Sequence, residues 1–197
     1  MSYRRILFFP FALALVFTVV SVVSMKKLHT FLSIHNPIES RNLAIEGWIS
    51  PATIDNLLTR HDLQPYKEIF ILATNSNDAA RTAEYIASRI DRTLPIEIVS
   101  ASSNKNKTYN MYMNLKKKIE QMGGGIFDVN VVTAGVHARK SFTLAKTALE
   151  PDVKVGIMAV SDGLYDPERW WGSTVGLKLV ARNLIGFVYA KVISFVS

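Results

Sequence analysis

Two residues that can exchange protons and two that carry positive charge follow apolar runs in the chain. Glu46 comes directly after NLAI, and His137 follows VNVVTAGV together with Arg139 and Lys140. An imidazole titrates near neutral pH, and a carboxylate at the end of an apolar run is costly unless it is paired or functional. We therefore predict that Glu46 and His137 form an acid/base pair and that Arg139 and Lys140 bind an anion.

Each of these assignments has a structural alternative. Glu46 could instead be the ion-pair partner of Arg139 or Arg81, and His137 could be a hydrogen-bonded loop residue beside two solvated cations. Glu46, His137 and Asp162 could also hold a metal ion, but three scattered ligands carry no spacing signature. The predicted site therefore contains no metal, and its cofactor is left unassigned.

Three further residues follow candidate strands and could bind the same anion. Asn75 lies in the segment TNSN, whereas Lys107 and Thr108 open a candidate helix for which Thr108 is the expected N-cap. Helix N-termini attract anions through their free N–H groups and the helix dipole. The chain has no Gly-x-Ser-x-Gly elbow, P-loop or Gly-x-Gly-x-x-Gly motif, which argues against common serine hydrolases, P-loop nucleotidases and standard dinucleotide enzymes.

The elements that must position these residues are short strands alternating with helices. The strands are Ile- and Val-rich, as expected for strands buried on both faces, and the helices carry apolar residues at three- and four-residue spacing. This alternation predicts an α/β fold, a three-layer, Rossmann-like, doubly wound sheet of about five mainly parallel strands. Ligands bind such sheets where the strand order reverses, and Glu46 and His137 would face each other there. The predicted strands are 42–45, 68–73, 95–100, 128–133 and 153–160, and the predicted helices are 51–60, 77–90, 108–122, 138–149 and 174–196.

The first part of the chain has the composition of a membrane segment. Residues 6–25 contain no charged side chain, and as a helix they would span roughly 30 Å, the thickness of a bilayer's hydrocarbon core. We predict one N-terminal transmembrane helix; the alternative is a cleaved signal peptide, whose apolar region is usually shorter. The predicted organisation is an anchor at 1–27, a stalk at 28–41 and an α/β domain at 42–197 that includes the apolar helix 174–196.

The charge and the cysteine content narrow the choice of partners. The formal net charge is +7 and cysteine is absent, so no disulfide, zinc–thiolate site or cysteine nucleophile can form. The positive charge suits membrane lipid and an anionic ligand, and no motif indicates nucleic acid. The basic residues before the apolar segment predict a single-pass membrane protein whose domain is exported. The oligomeric state is left open.

The predicted last helix is apolar but carries Lys178, Arg182 and Lys191. These charges argue against a second membrane span. The helix is expected to pack on the sheet, or to lie with its apolar face at the bilayer close to the N-terminal anchor.

Four segments of the chain resemble the YdcF-like superfamily of envelope proteins. They are EGW at 46–48, KTY at 107–109, VNVVTAGVHARKS at 129–141 and YDPERWW at 165–171. The resemblance implies a Rossmann-like, often membrane-anchored domain that is linked to envelope integrity and to peptidoglycan or lipid-carrier metabolism. Together with the predicted export of the domain, it implies a protein of the bacterial inner membrane with its domain on the periplasmic side. In this resemblance, the family's histidine and basic residues correspond to His137, Arg139 and Lys140, and the family's threonine at a helix start corresponds to Thr108.

The site and the resemblance together lead to two functional expectations. The first is an anchored envelope factor that binds a phosphate-bearing lipid-carrier or nucleotide-like ligand; as an enzyme, it would catalyse hydrolysis or transfer at a phosphorylated group. The second is a non-enzymatic adaptor of the envelope whose crevice is vestigial.

Overall fold

The computed structural model describes residues 25, 27–61, 63, 65–90, 94–101, 106–123 and 127–196. The strands are β1 (Asn42–Glu46), β2 (Glu68–Ala73), β3 (Ile96–Ser100), β4 (Phe127–Ala134) and β5 (Val153–Val160). The helices are α1 (Pro51–Arg60), α2 (Ser76–Ala87), α3 (Lys107–Gln121), α4 (Ala138–Leu149) and α5 (Thr174–Val196). All five strands are parallel, in the order β3-β2-β1-β4-β5. The predicted α/β fold is confirmed, and the strand order reverses between β1 and β4.

Helices cover both faces of the sheet. On one face, Leu57 of α1 and Ile86 of α2 pack in the same apolar cluster as Ile45. On the other face, the apolar cluster joins Ala44 to Leu115 of α3 and to residues of α4 and α5. Adjacent residues of β1 thus point to opposite faces, and both faces are buried. This burial explains why the strands read as continuous apolar runs.

Two short 3-10 helices shape the carboxyl edge of the sheet. Gly135–His137 joins β4 directly to α4, and Gly135 has a φ of +35°, a conformation that L side chains rarely adopt. Pro167–Gly172 precedes α5. Trp170 in this second turn is buried in a small cluster with Val136. The turn after β4 is what brings His137 back over the sheet edge.

The segment predicted as a stalk lies along the domain. Residues 27–32 are helical, and Leu32 is fully buried in a cluster with Trp170 and Val180. Asn36 then forms an antiparallel bridge with Ile157 of β5, with both backbone hydrogen bonds made. The predicted transmembrane helix, up to residue 24, lies outside the described part of the chain.

Residues 36–38, which we call the strap, are held by a buried asparagine. The Asn130 side chain accepts a hydrogen bond from the Ile38 N–H at 2.9 Å and donates one to the Ile38 carbonyl at 2.8 Å. Gly156 makes room for this contact, since a Cβ there would stand 2.0 Å from Asn130 Oδ1. The strap is therefore fixed to β4 and β5 by polar contacts that need a glycine beneath them.

Helix α5 alone among the described helices is long and apolar enough to cross a membrane, with a mean hydropathy of 1.6. It nevertheless lies on the domain, with Gly176, Val180, Asn183 and Ala190 buried against α4 and the Pro167–Gly172 turn. One face of the helix thus belongs to the core.

Candidate functional site

Glu46 lies at the end of β1, where the strand order reverses, and its side chain is fully buried. Its Oε1 accepts hydrogen bonds from the hydroxyls of Tyr112 at 2.8 Å and Ser141 at 2.7 Å. Its Oε2 accepts one from the indole N–H of Trp48 at 3.0 Å and one from the hydroxyl of Thr133. Four donors compensate for the loss of water around the carboxylate. Glu46 consequently ties β1 to α3, β4 and α4.

Neither arginine that was considered as a partner of Glu46 contacts it. Arg81 forms an exposed ion pair with Asp78. Arg139 donates from Nε to the carbonyl of Phe31 at 2.6 Å, and its guanidinium lies 4.2 Å from the centre of that ring. The ion-pair alternative for Glu46 is therefore wrong, because hydroxyl and indole donors take the positions that an arginine would need.

His137 is held next to Glu46 in a defined orientation. Its Nδ1 lies 2.7 Å from Asn183 Oδ1, and Asn183 uses its Nδ2 to donate to the carbonyl of Leu179 at 2.9 Å. The amide oxygen therefore accepts, and Nδ1 carries the hydrogen. His137 Nε2 then faces Glu46 Oε2 at 3.9 Å, too far for a hydrogen bond but close enough for the carboxylate to stabilise an imidazolium.

Trp48 forms one wall of this arrangement. Its ring meets the His137 ring edge-on, with the centres 4.9 Å apart, while its N–H binds Glu46. Trp48 also lines a cleft of about 320 Å³ between α1 and α2, together with Pro51, Arg81 and Tyr85 among others. A cleft of this size fits a small ligand. Trp48 thus both contacts the buried carboxylate and lines this cleft.

Two more cations share this edge of the sheet. Lys140 is partly buried in the first turn of α4, and its side chain crosses α5 at Gly186, where a Cβ would stand 3.1 Å from Lys140 Cδ. Arg182 comes from the neighbouring turn of α5 and is close enough to act electrostatically on both Lys140 and His137. Among the described residues, neither Lys140 nor Arg182 has an acidic side chain within ion-pair distance. The negative charge of Glu46 therefore offsets only part of the positive charge at this edge of the sheet.

Burial favours the neutral forms of His137 and Lys140. It lowers the pKa of His137 below its ordinary value, and the negative charge of Glu46 offsets this only in part. It also lowers the pKa of Lys140, where Glu46 again opposes the shift and Arg182 adds to it. Both groups thus release a proton more readily than they would in water. An imidazole that is neutral near neutral pH can accept a proton from a ligand.

The other predicted ligand-binding residues are Asn75, Lys107 and Thr108. They lie at the same edge of the sheet, but none of them contacts Glu46 or His137 in the described structure. Asn75 caps α2 by accepting the N–H of Asn77 at 3.0 Å. The N-cap of α3 is Asn106, with φ of 50°, so the prediction of Thr108 as the cap is wrong by two residues. Thr108 and the exposed Lys107 lie in the first turn, and no described contact joins them to Glu46 or His137. Their roles stay predictions.

The described residues do not assemble a metal site. No group of three or more His, Asp or Glu side chains within them lies close enough to hold a metal ion. Asp162, considered as a third ligand beside Glu46 and His137, accepts the N–H of Leu164 in a local turn at 3.1 Å.

The fold and the site define a doubly wound α/β domain with a buried carboxylate and a group of cations at its switch point. Comparisons with protein-family models, with curated proteins and with solved structures found no match. The resemblance to the YdcF-like superfamily therefore stays a prediction, and the geometry of the residues around Glu46 and His137 is the basis for proposing a function.

Proposed function

We propose that this chain is a membrane-anchored envelope factor whose domain binds a phosphate-bearing ligand, of a lipid-carrier or nucleotide-like kind, between β1 and β4. The observation that supports the proposal is that His137 and Lys140 lie beside a carboxylate that is already saturated with donors, while the exposed Arg182 is close enough to act electrostatically on both. Glu46 accepts four hydrogen bonds, so it offers these three basic side chains no free acceptor. A phosphate would supply charge-assisted hydrogen bonds to them, next to the N-terminus of α4.

In this proposal the residues have distinct roles. His137 Nε2 exchanges a proton with the ligand, and Glu46 stabilises the imidazolium that results. Lys140 binds the phosphate oxygens together with Arg182, while Trp48 packs against the body of the ligand. A reaction at this site would be hydrolysis or transfer at the phosphorylated group. The oxygen of a hydroxyl or water would bond to phosphorus while His137 takes its proton, and the P–O bond to the leaving group would break, with the leaving oxygen keeping the electron pair and taking a proton from water.

The location completes the proposal. The uncharged segment 6–25 would anchor the chain in the bacterial inner membrane, with the domain on the periplasmic side. A ligand that is itself attached to a lipid would then be presented to the crevice within reach of the anchor. Such a ligand fits a role in peptidoglycan or envelope biogenesis.

Calorimetric titration of the full chain in detergent micelles tests ligand binding. The probes are inorganic phosphate, pyrophosphate and a short-chain prenyl phosphate. Lys140→Gln should weaken binding by roughly tenfold, the value of about one charge-assisted hydrogen bond. Lys116→Gln is the matched control, because Lys116 is a partly buried lysine of the same domain but is paired with Asp152 at 2.6 Å. Absence of binding, or an equal loss in both variants, would refute the proposal.

A second candidate, the non-enzymatic adaptor, is favoured by one observation. Every acceptor position of Glu46 is occupied by a protein donor, as expected for a purely structural carboxylate. A His137→Ala protein that remains folded and anchored separates the two candidates in a strain lacking the chain. Restored envelope integrity would support the adaptor, whereas lost function at unchanged abundance would support the ligand-binding factor.

A further inference from the structure

The outward face of α5 exposes a row of large apolar side chains. Ile185, Val188, Val192 and Phe195 are 72, 58, 57 and 92% exposed. Their three- and four-residue spacing places them on one side of the helix, opposite the buried residues that contact the domain. A contiguous apolar row of this kind on a soluble surface indicates a partner that covers it.

The same helix carries positive charge beside this row. Lys178 lies on the outward face one to two turns before Ile185, and Lys191 flanks the row on the side of α4, with its ammonium 6.0 Å from the centre of the Phe187 ring. Apolar residues bordered by lysines are the pattern of helices that lie in the interface of anionic lipids. The occupant favoured by charge is therefore an anionic bilayer.

The path of the chain brings the predicted anchor to this helix. Phe31 meets Phe187 of α5 edge-on with ring centres 5.4 Å apart, and Leu32 is buried in a cluster with Val180 of α5. Only a few residues separate Phe31 from the uncharged segment that ends at Met25. A membrane entered by that segment must consequently lie close to α5.

A basic and aromatic groove runs between α4 and α5 next to this junction. Its volume is about 570 Å³, and its lining includes Phe31, Arg139, Phe142, Lys146 and Lys191. Arg139 and Lys146 both lie over aromatic rings, at 4.2 and 5.5 Å from the ring centres. Cations that are held on aromatic rings at a membrane boundary are well placed to meet lipid phosphates.

We propose that α5 docks on a bilayer of anionic phospholipid, with its row from Ile185 to Phe195 in the headgroup–acyl boundary and Lys178 and Lys191 at the lipid phosphates. The inference rests on the anchor in the proposed function and is independent of any ligand in the crevice. A second copy of the chain is the competing occupant of the row.

The absence of cysteine allows a direct test on the full chain. A single cysteine carrying an environment-sensitive fluorophore is introduced as Val188→Cys, as Leu164→Cys or as Leu13→Cys. Leu164 is the matched control, because it is 62% exposed but lies in the loop after β5. Leu13 reports on the predicted anchor. The proteins are reconstituted into vesicles of phosphatidylcholine with phosphatidylglycerol, and quenching by nitroxide-labelled lipid is measured.

The expected result is quenching at positions 13 and 188 that exceeds quenching at position 164 by roughly twofold or more. Lys178→Gln combined with Lys191→Gln should reduce quenching at position 188 and leave it unchanged at position 13. Quenching at 13 with none at 188 would overturn the docking and leave the anchor standing. A blue-shifted but unquenched label at 188 would assign the row to a second copy and also overturn the docking. No quenching at either position would overturn both.

Discussion

Tyr112 donates its phenolic hydrogen to Glu46 across 2.8 Å, although 66 positions separate the two residues in the chain. Both side chains are fully buried. The hydrogen bond joins α3, which carries the chain from one half of the sheet to the other, to the strand at which the order reverses. Burial and the neighbouring carboxylate raise the pKa of Tyr112 well above its ordinary value. The hydroxyl thus remains a donor across the physiological range.

Replacing Tyr112 by phenylalanine should destabilise the protein. The change leaves a buried carboxylate short of one donor, which costs about 1–3 kcal/mol. Chemical denaturation of the full chain in micelles measures this free energy of unfolding. Tyr85→Phe is the control, because Tyr85 donates to Asp55, whose carboxylate is 48% exposed and can bind water instead. Equal losses in the two variants would contradict a special role of the buried bond.

The stability of the protein should fall in mild acid, in part because of His137. Burial holds the pKa of His137 below 6.5 in the folded state. As the pH decreases below 6.5, the unfolded chain therefore gains a proton that the folded chain does not yet bind. This contribution to stability is complete above the unfolded pKa and is lost as the pH falls toward the folded one.

His137→Gln removes the titrating group, so its free energy of unfolding should decrease less than that of the parent between about pH 7.5 and 5.5. Denaturation at several pH values provides the comparison. Burial also lowers the pKa values of His29 and His61. Both residues are present in parent and variant, so their contributions to the pH dependence of stability cancel in the comparison. An identical pH dependence in parent and variant would exclude a depressed pKa at position 137.

Gly135→Ala should cost about 1 kcal/mol, because a side chain is introduced at a φ of +35°. No atom lies within 4 Å of the Cβ position, so the cost comes from the backbone alone. Gly172→Ala serves as the control, since its Cβ would also meet nothing within 4 Å and its φ is not positive. Thermal unfolding should separate the two variants. If the strained turn also positions His137, pyrophosphate binding should weaken only in Gly135→Ala.

Gly156→Ala should release the strap from the domain. The new methyl group would overlap Asn130 Oδ1 and approach the Ile38 backbone nitrogen within 2.8 Å, and overpacking of this kind costs about 1–3 kcal/mol. Limited trypsin digestion should then cut faster at Arg41 than in the parent. Unchanged cleavage at Arg41 would show that the strap does not depend on this contact.

Much of the framework is readable from the sequence. The predicted bounds of β5, α4 and α5 match the observed elements, because apolar runs of strand length and helical spacing depend on local sequence alone. The meeting of Glu46 and His137 also follows from sequence, since the carboxyl ends of adjacent parallel strands lie at one edge.

The hydroxyl groups that donate to Glu46 could not be predicted from the sequence. Tyr112 and Ser141 lie on helices. The apolar spacing of a helix indicates which of its side chains are buried, but it does not indicate which residue of the sheet each of them contacts. Arg182 joins the crevice only because α5 returns across α4. The Pro167–Gly172 turn had a local signal, because Asp166 accepts the Glu168 N–H next to a proline. That signal is easily read as a loop.

The strap has a mechanical consequence. In the proposed anchored protein, a pull on the N-terminal side of residue 27 reaches the packed residues 27–32 first and then the paired hydrogen bonds between Asn36 and Ile157. Only after these does it reach the Asn130 contact and β1, which carries Glu46. Tension on the proposed anchor would therefore break contacts at the edge of the sheet first. The geometry around Glu46 and His137 would not change until those contacts were lost.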